Sequence, residues 1–452
     1  MNLLNETVKT LHTMLTEREI SAVELCEEFL ANIKELNPEL NAILSVAGES
    51  ALEAAENAQL CIEKGETTGL TGIPCVVTDN IMTKGLLTTC ASKMLADFIP
   101  PYDAAVVELL KKDGAVLLGK SNVDEFGFGG TLRSGTAVSS LLAPFSLASD
   151  AGGAVRQSAA FHGLTGLRPT YGRVSRYGLA AFASSLDQIC PIAKTAEDCA
   201  IILNSIAGKD SRDATNFKTA SDEDFTAKIG AGVKGLKIAI PKEFFGENIC
   251  EEKRTAILSA AKELEKQGAE LIDTSMSITD YAVAVYYIIS SAEASGNLSR
   301  YDGVNFGLRG EGNSYSEQIK DSRNRGFGNG VKRRIMFGNF VLSEENYEDY
   351  FMKAQALRQK IRAEYEEVFK TADLVLSPTV PDIHPPDSII PQTSYAYTFT
   401  VSPALAGLPS VSTTCGFKMT GLPIGMSLTG KRFAEQTVLQ AADCFERIFA
   451  EG

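Results

Sequence analysis

The chain has 452 residues, enough to bury a large core in one big domain or two ordinary ones. Its composition, 44% apolar and 22% charged, is that of a soluble globular protein. The formal charge of −14 excludes a dominant phosphate-binding face, and with it direct nucleic-acid binding.

The opening Met1-Asn2-Leu3-Leu4-Asn5-Glu6 lacks the basic region and apolar core of a signal peptide, and no apolar stretch is long enough to span a membrane. Beyond it, the first hundred residues read as helices feeding a sheet. Ser21-Ala22-Val23-Glu24 and Ser50-Ala51-Leu52-Glu53 are capping-box patterns opening runs with helical apolar spacing. Ile73-Pro74-Cys75-Val76-Val77 is short and apolar, a buried strand. Asp103 caps a helix through Lys112, followed by Gly114 and the strand Ala115-Val116-Leu117-Leu118-Gly119. The same grammar returns as strand 236–240, helix 251–267, Gly268 as stop and strand 270–273. Residues 280–370 are tyrosine-rich and mainly helical, with a long amphipathic run over 344–370. Strands resume at 374–376, 411–415 and 424–428. The alternation predicts an α/β fold, a central mixed sheet covered by helices on both faces, in a single domain over 1–452.

Chemistry concentrates in Ser149-Asp150-Ala151-Gly152-Gly153-Ala154-Val155-Arg156-Gln157-Ser158. Two glycines leave amide N–H groups open to a ligand, and the Ala-rich run behind them starts a helix whose N-terminus favours negative charge. That is the layout of an oxyanion hole, which normally sits beside a hydroxyl or thiol nucleophile. Ala154 offers only a methyl group, and a tight glycine turn between core segments is the rival reading. Thr78-Asp79-Asn80 follows the first predicted strand, where α/β sheets carry catalytic side chains, though a turn or cap is the readier explanation of Asp79-Asn80. His162 lies one helical turn beyond Ser158, with no third group to orient it. The nine cysteines are scattered and never spaced Cys-x-x-Cys, as in a reduced cytoplasmic protein, and three histidines leave little scope for a metal centre. No cofactor is expected. Arg323, Arg325, Lys332, Arg333 and Arg334 form a basic cluster that reads as a solvated loop and helix start.

The Gly-Gly loop, residues 72–80, Arg168-Pro169-Thr170-Tyr171-Gly172-Arg173, Phe182-Ala183-Ser184-Ser185-Leu186-Asp187-Gln188 and Leu405-Ala406-Gly407-Leu408-Pro409 resemble the amidase signature family. Within it they are most similar to the A-type subunits of glutamyl-tRNA(Gln)/aspartyl-tRNA(Asn) amidotransferases. The resemblance implies a Ser–cis-Ser–Lys mechanism, in which a serine attacks an amide carbonyl, a second serine relays protons and a neutral lysine is the base.

This chain departs from that pattern at each of the three positions. Thr78 stands where the base belongs and Ala154 where the nucleophile belongs. The cis-serine loop is missing, leaving Gly130 or Thr131 nearest its position. Tyr397 stands for the acidic residue that binds glutamine, whereas Arg333-Arg334 and Ala151-Gly152-Gly153 are kept as substrate contacts. Loss of one triad member typically costs orders of magnitude in rate. The resemblance therefore implies a non-catalytic subunit or binding protein, partnered by B- and C-type subunits or by an intact paralogue, with a small amide or carboxylate as ligand. The alternative is an amide hydrolase, or an A-type amidotransferase subunit, with a site rebuilt from Thr78, Thr131, Ser134 or Ser158.

Overall fold

A computed structural model of the chain describes residues 2–128, 133–216, 223–246, 249–381 and 397–451. Gly130 and Thr131 lie outside the described residues. Eleven strands form one mixed sheet: β1 (Ile43–Val46), β2 (Pro74–Thr78), β3 (Val116–Ser121), β4 (Ser146–Asp150), β5 (Thr165–Arg168), β6 (Gln188–Ala193), β7 (Lys237–Pro241), β8 (Glu270–Thr274), β9 (Leu374–Pro378), β10 (Ser410–Phe417) and β11 (Pro423–Gly430). Their spatial order is β1-β3-β2-β4-β6-β5-β10-β11-β9-β7-β8. Parallel pairs β3-β2-β4 and β9-β7-β8 flank an antiparallel centre. Every residue of β2, β5, β6 and β9 is buried, so helices cover both faces of the sheet, as the unbroken apolar run before Thr78 requires.

Local signals set most helix ends. Ser21 accepts from the Glu24 amide while the Glu24 carboxylate accepts from the Ser21 amide, a complete capping box on the helix Ala22–Leu40. The second predicted box is not one. The helix Gly48–Lys64 begins before Ser50, whose hydroxyl donates to the Ala47 carbonyl. Nor does Asp103 cap the helix Ala105–Lys112, whose N-cap is Ala104; Asp103 accepts from the Lys84 amide at 2.7 Å and from Lys111 at 2.6 Å. The amphipathic run over 344–370 is interrupted by a π-helical turn, Tyr347–Met352, before the helix Lys353–Val368. Together with Ala282–Asn297 and Asn329–Val341 it forms the helical layer predicted for 280–370. Among the described residues, no helix is long and apolar enough to cross a membrane.

Glu446 and Asp187 are buried carboxyls whose hydrogen-bond donors, among the described residues, include no cation. Glu446 accepts from Thr165, Thr413 and the Ala196 amide, and burial pushes it from 4.5 to about 7. Burial likewise pushes Asp187, which accepts from the Phe182 and Ala183 amides, from 3.8 to about 7. Both bind protons more tightly folded than unfolded, so their contribution to stability is full below the unfolded values and is lost as pH rises through about 7. Glu446→Gln should flatten the fall of the unfolding free energy between pH 5 and 7, by at most about 1.4 kcal/mol per pH unit. Urea titrations of both proteins across that range check this.

Candidate active site

The loop between β4 and the helix Ala154–His162 is fixed by a buried ionic cluster. Asp150 accepts from Arg156 Nε and Nη2 at 3.2 and 3.1 Å and from Arg168 Nη1 at 3.1 Å, with all three side chains fully buried. Arg168 also donates to the backbone carbonyls of Asp150 and Leu186. Burial alone would raise the Asp150 carboxyl, but the two guanidiniums hold it below its ordinary value. This cluster ties the end of β4 to the helix and to β5, so the chain must turn sharply between them. Gly153, at φ +134°, makes that turn as the helix N-cap.

The turn does not leave its glycines open to a ligand as the sequence suggests. Gly152 and Gly153 are buried beneath Tyr286 and Thr400. A Cβ at Gly152 would lie 2.6 Å from the Tyr286 ring, and the Thr400 hydroxyl donates to the Gly152 carbonyl at 2.8 Å. Thr400 also accepts from Gln157 Nε2 at 2.9 Å. Tyr286 packs on Tyr397, ring centroids 5.4 Å apart, and both are buried. Arg334 lies over the Tyr287 ring at 4.0 Å and reaches the Ser290 and Ser291 hydroxyls, whereas Arg333 on the same helix is exposed. Of the arginine pair, Arg334 faces the tyrosines. Tyr286, Tyr287 and Thr400 escaped sequence reading, because they lie far along the chain and carry no motif. The Tyr-Tyr pair inside an apolar helical run was the available signal.

Thr78, Ser134 and Ala154 do converge. They line one cavity of about 30 Å³ with Asn122, Asp124 and Ser149. That volume holds about one water molecule. Thr78 Oγ1 donates to Asn80 Oδ1 at 2.7 Å, and Asn80 Nδ2 donates to Ser149 Oγ at 2.8 Å, so the strand-end polar residues bond to one another. Asp124 is the only titratable side chain among the described lining residues. A buried lysine does lie nearby, with burial lowering Lys120 to about 8. Lys120 pairs with Val77 in the β2–β3 register, so it sits on the face opposite Thr78, and its ammonium donates to the Ile81 carbonyl and to Thr83. Asp79, beside it, accepts from Thr89 and Ala91.

Ser158 and His162 form no catalytic dyad. The His162 ring bonds the Ser158 carbonyl at 2.8 Å and the Thr136 hydroxyl at 3.2 Å, while the Ser158 hydroxyl accepts from the Gly135 amide. Burial lowers the affinity of His162 for a proton. Among the described residues no cluster of His, Cys, Asp and Glu could hold a metal ion.

The profile of the amidase family matches residues 24–134 and 133–439. The chain belongs to the amidase family. The A-type subunit of the glutamyl-tRNA(Gln) amidotransferase of Ruminiclostridium cellulolyticum is 44% identical over 479 residues, covering 100% of this chain and 99% of that protein. Its counterpart in Streptococcus pneumoniae serotype 19F is 44% identical over 474 residues, covering 99% of this chain and 96% of that protein. The crystal structure of the A-type subunit of glutamyl-tRNA(Gln) amidotransferase from Thermotoga maritima is similar with a TM-score of 0.80 at 35% identity, over 99% of this chain and 95% of that one. A bacterial aryl acylamidase of the amidase signature family shares the fold, with a TM-score of 0.83 at 22% identity over 98% and 96% of the two chains.

The ionic cluster makes a direct prediction. Asp150→Asn leaves two buried guanidiniums without their anion and should cost about 3–5 kcal/mol of stability. The shift of the urea midpoint relative to the parent protein measures it.

Proposed function

We propose that this chain is an A-type amidase-family protein that has lost serine-based hydrolysis and works as a non-catalytic subunit or binding protein. Ala154 carries the reading: at the position of the family's nucleophile stands a methyl group, in the lining of a cavity of about 30 Å³ that lacks room for a glutamine side chain. Thr78, at the position of the base, has a hydroxyl committed to Asn80. The family match breaks at residues 133–134, where the resemblance puts the missing cis-serine loop. The alignment with the R. cellulolyticum protein also runs over 479 positions against 452 residues here, which supports a segment absent from this chain. Tyr286 and Thr400 over the glycines support a former oxyanion cradle now filled by side chains.

The same reading takes residues 1–452 as one domain acting in the cytoplasm. Its partners are B- and C-type amidotransferase subunits or an intact paralogue, and Arg334 beside Tyr397 would hold a small amide or carboxylate. A second reading is favoured by the 44% identity to an A-type amidotransferase subunit over the whole chain. In it, this is a working subunit whose chemistry has moved to Ser134 and the Asp124 carboxylate in the same cavity.

Fluorophosphonate labelling separates the two. Under the first reading the parent protein and Ala154→Ser both stay unlabelled, because a new hydroxyl alone has no base, while an intact homologue labels. Labelling of the parent protein at Ser134 would establish the second. Affinity purification from the native cell should recover B- and C-type subunits or an intact paralogue, and recovery of neither would remove the subunit reading.

A further inference from the structure

Between the helices Tyr315–Gly326 and Asn329–Val341 runs a groove of about 880 Å³ with mainly apolar walls. Ile319, Phe327, Ile335 and Met336 line it, and Met336 is 70% exposed. Its charged lining residues are Lys320, Arg323 and Lys332, all basic, in a chain of net charge −14. Arg323 donates to the Leu298 and Tyr301 carbonyls and Lys332 to Asn324, neutral acceptors that leave the positive charges in place. Glu317 and Asp321, the carboxylates of the first helix, lie outside the lining and accept from the Asn313 and Glu311 amides.

The second helix carries this surface into a segment of opposite sign. Phe340 lies one turn beyond Met336, is exposed, and meets the Tyr350 ring edge-on at 5.4 Å. Leu342, Tyr347 and Tyr350 are exposed as well. Among them stand Glu344, Glu345, Glu348 and Asp349, all exposed. Asp349 pairs with Lys353 at 2.6 Å, whereas the three glutamates form no ion pair among the described residues. Contiguous exposed apolar surface marks an interaction site, and aromatic residues and Met are favoured there. Here one face holds both an apolar groove with three cations and an apolar segment with four carboxylates. A two-fold axis matches two such faces, groove to segment and segment to groove, as a self-complementary interface requires. Two copies of a chain this acidic repel one another overall, so local complementarity selects this pairing over others.

We propose that this face is a dimer interface, in which residues 342–350 of one copy dock in the groove of a second copy. Analytical ultracentrifugation of the full chain over a dilution series, freed of co-purifying proteins, tests it with two charge-reversed variants. Lys320→Glu with Lys332→Glu reverses the groove, and Glu345→Lys with Glu348→Lys reverses the segment. The parent should sediment as a reversible dimer. Each variant alone should associate at least about tenfold more weakly, because like charges then face one another at both contacts. An equimolar mixture of the two should recover the parental affinity, since reversed groove meets reversed segment and native groove meets native segment. That recovery also shows that both variants fold. A monomeric parent, association unchanged in both variants, or a mixture no tighter than the separate variants would overturn the proposal. So would a monomeric parent that takes up a B-type subunit in a manner both variants lose, which assigns the face to that subunit.

Discussion

The Asp150–Arg156–Arg168 cluster is the constraint on which the rest of the site depends. One carboxylate between two guanidiniums, all fully buried, is tolerable only while each partner is present. It pins β4, the following helix and β5 to one another, and the geometry of the Gly-Gly turn follows. None of this requires a nucleophile at 154. The turn is therefore held by groups other than Thr78 and Ala154.

Side chains from distant helices pack around that turn. Tyr286 and Thr400 occupy the space over the glycines, and Tyr397 packs on Tyr286 as part of an apolar cluster. An oxyanion hole works when its donors face developing charge in a prepared, water-free space. Here Tyr286 and Thr400 pack against Gly152 and Gly153, and the cavity beside them holds about one water molecule. Arg334 lies over the Tyr287 ring beside this cover.

Much of the fold was legible in the sequence because burial leaves a pattern. The apolar runs before Thr78 and around residues 374–376, 411–415 and 424–428 are strands, and Gly268 ends its helix at φ +96°. Four strands, β1, β4, β5 and β6, were not legible. β4 is Ser-Leu-Ala-Ser-Asp, β5 contains Gly166, and β6 carries Pro191 in the middle of the sheet, opposite Leu147. These short segments violate strand propensity and are held by their neighbours. Caps failed at Ser50 and Asp103 because each side chain found another partner. In the site, the convergence of Thr78 with Ala154 followed from motif order. The aromatic cover did not, since Tyr286 and Thr400 meet Gly152 and Gly153 only through the packing of distant helices.

The most direct test of a closed, non-hydrolytic site is ammonia release from glutamine and asparagine by the purified protein, freed of any co-purifying paralogue. The account predicts no release above a heat-denatured control. Turnover that survives purification and disappears in Ser134→Ala would contradict it, because the cavity beside Ala154 would then contain a working nucleophile.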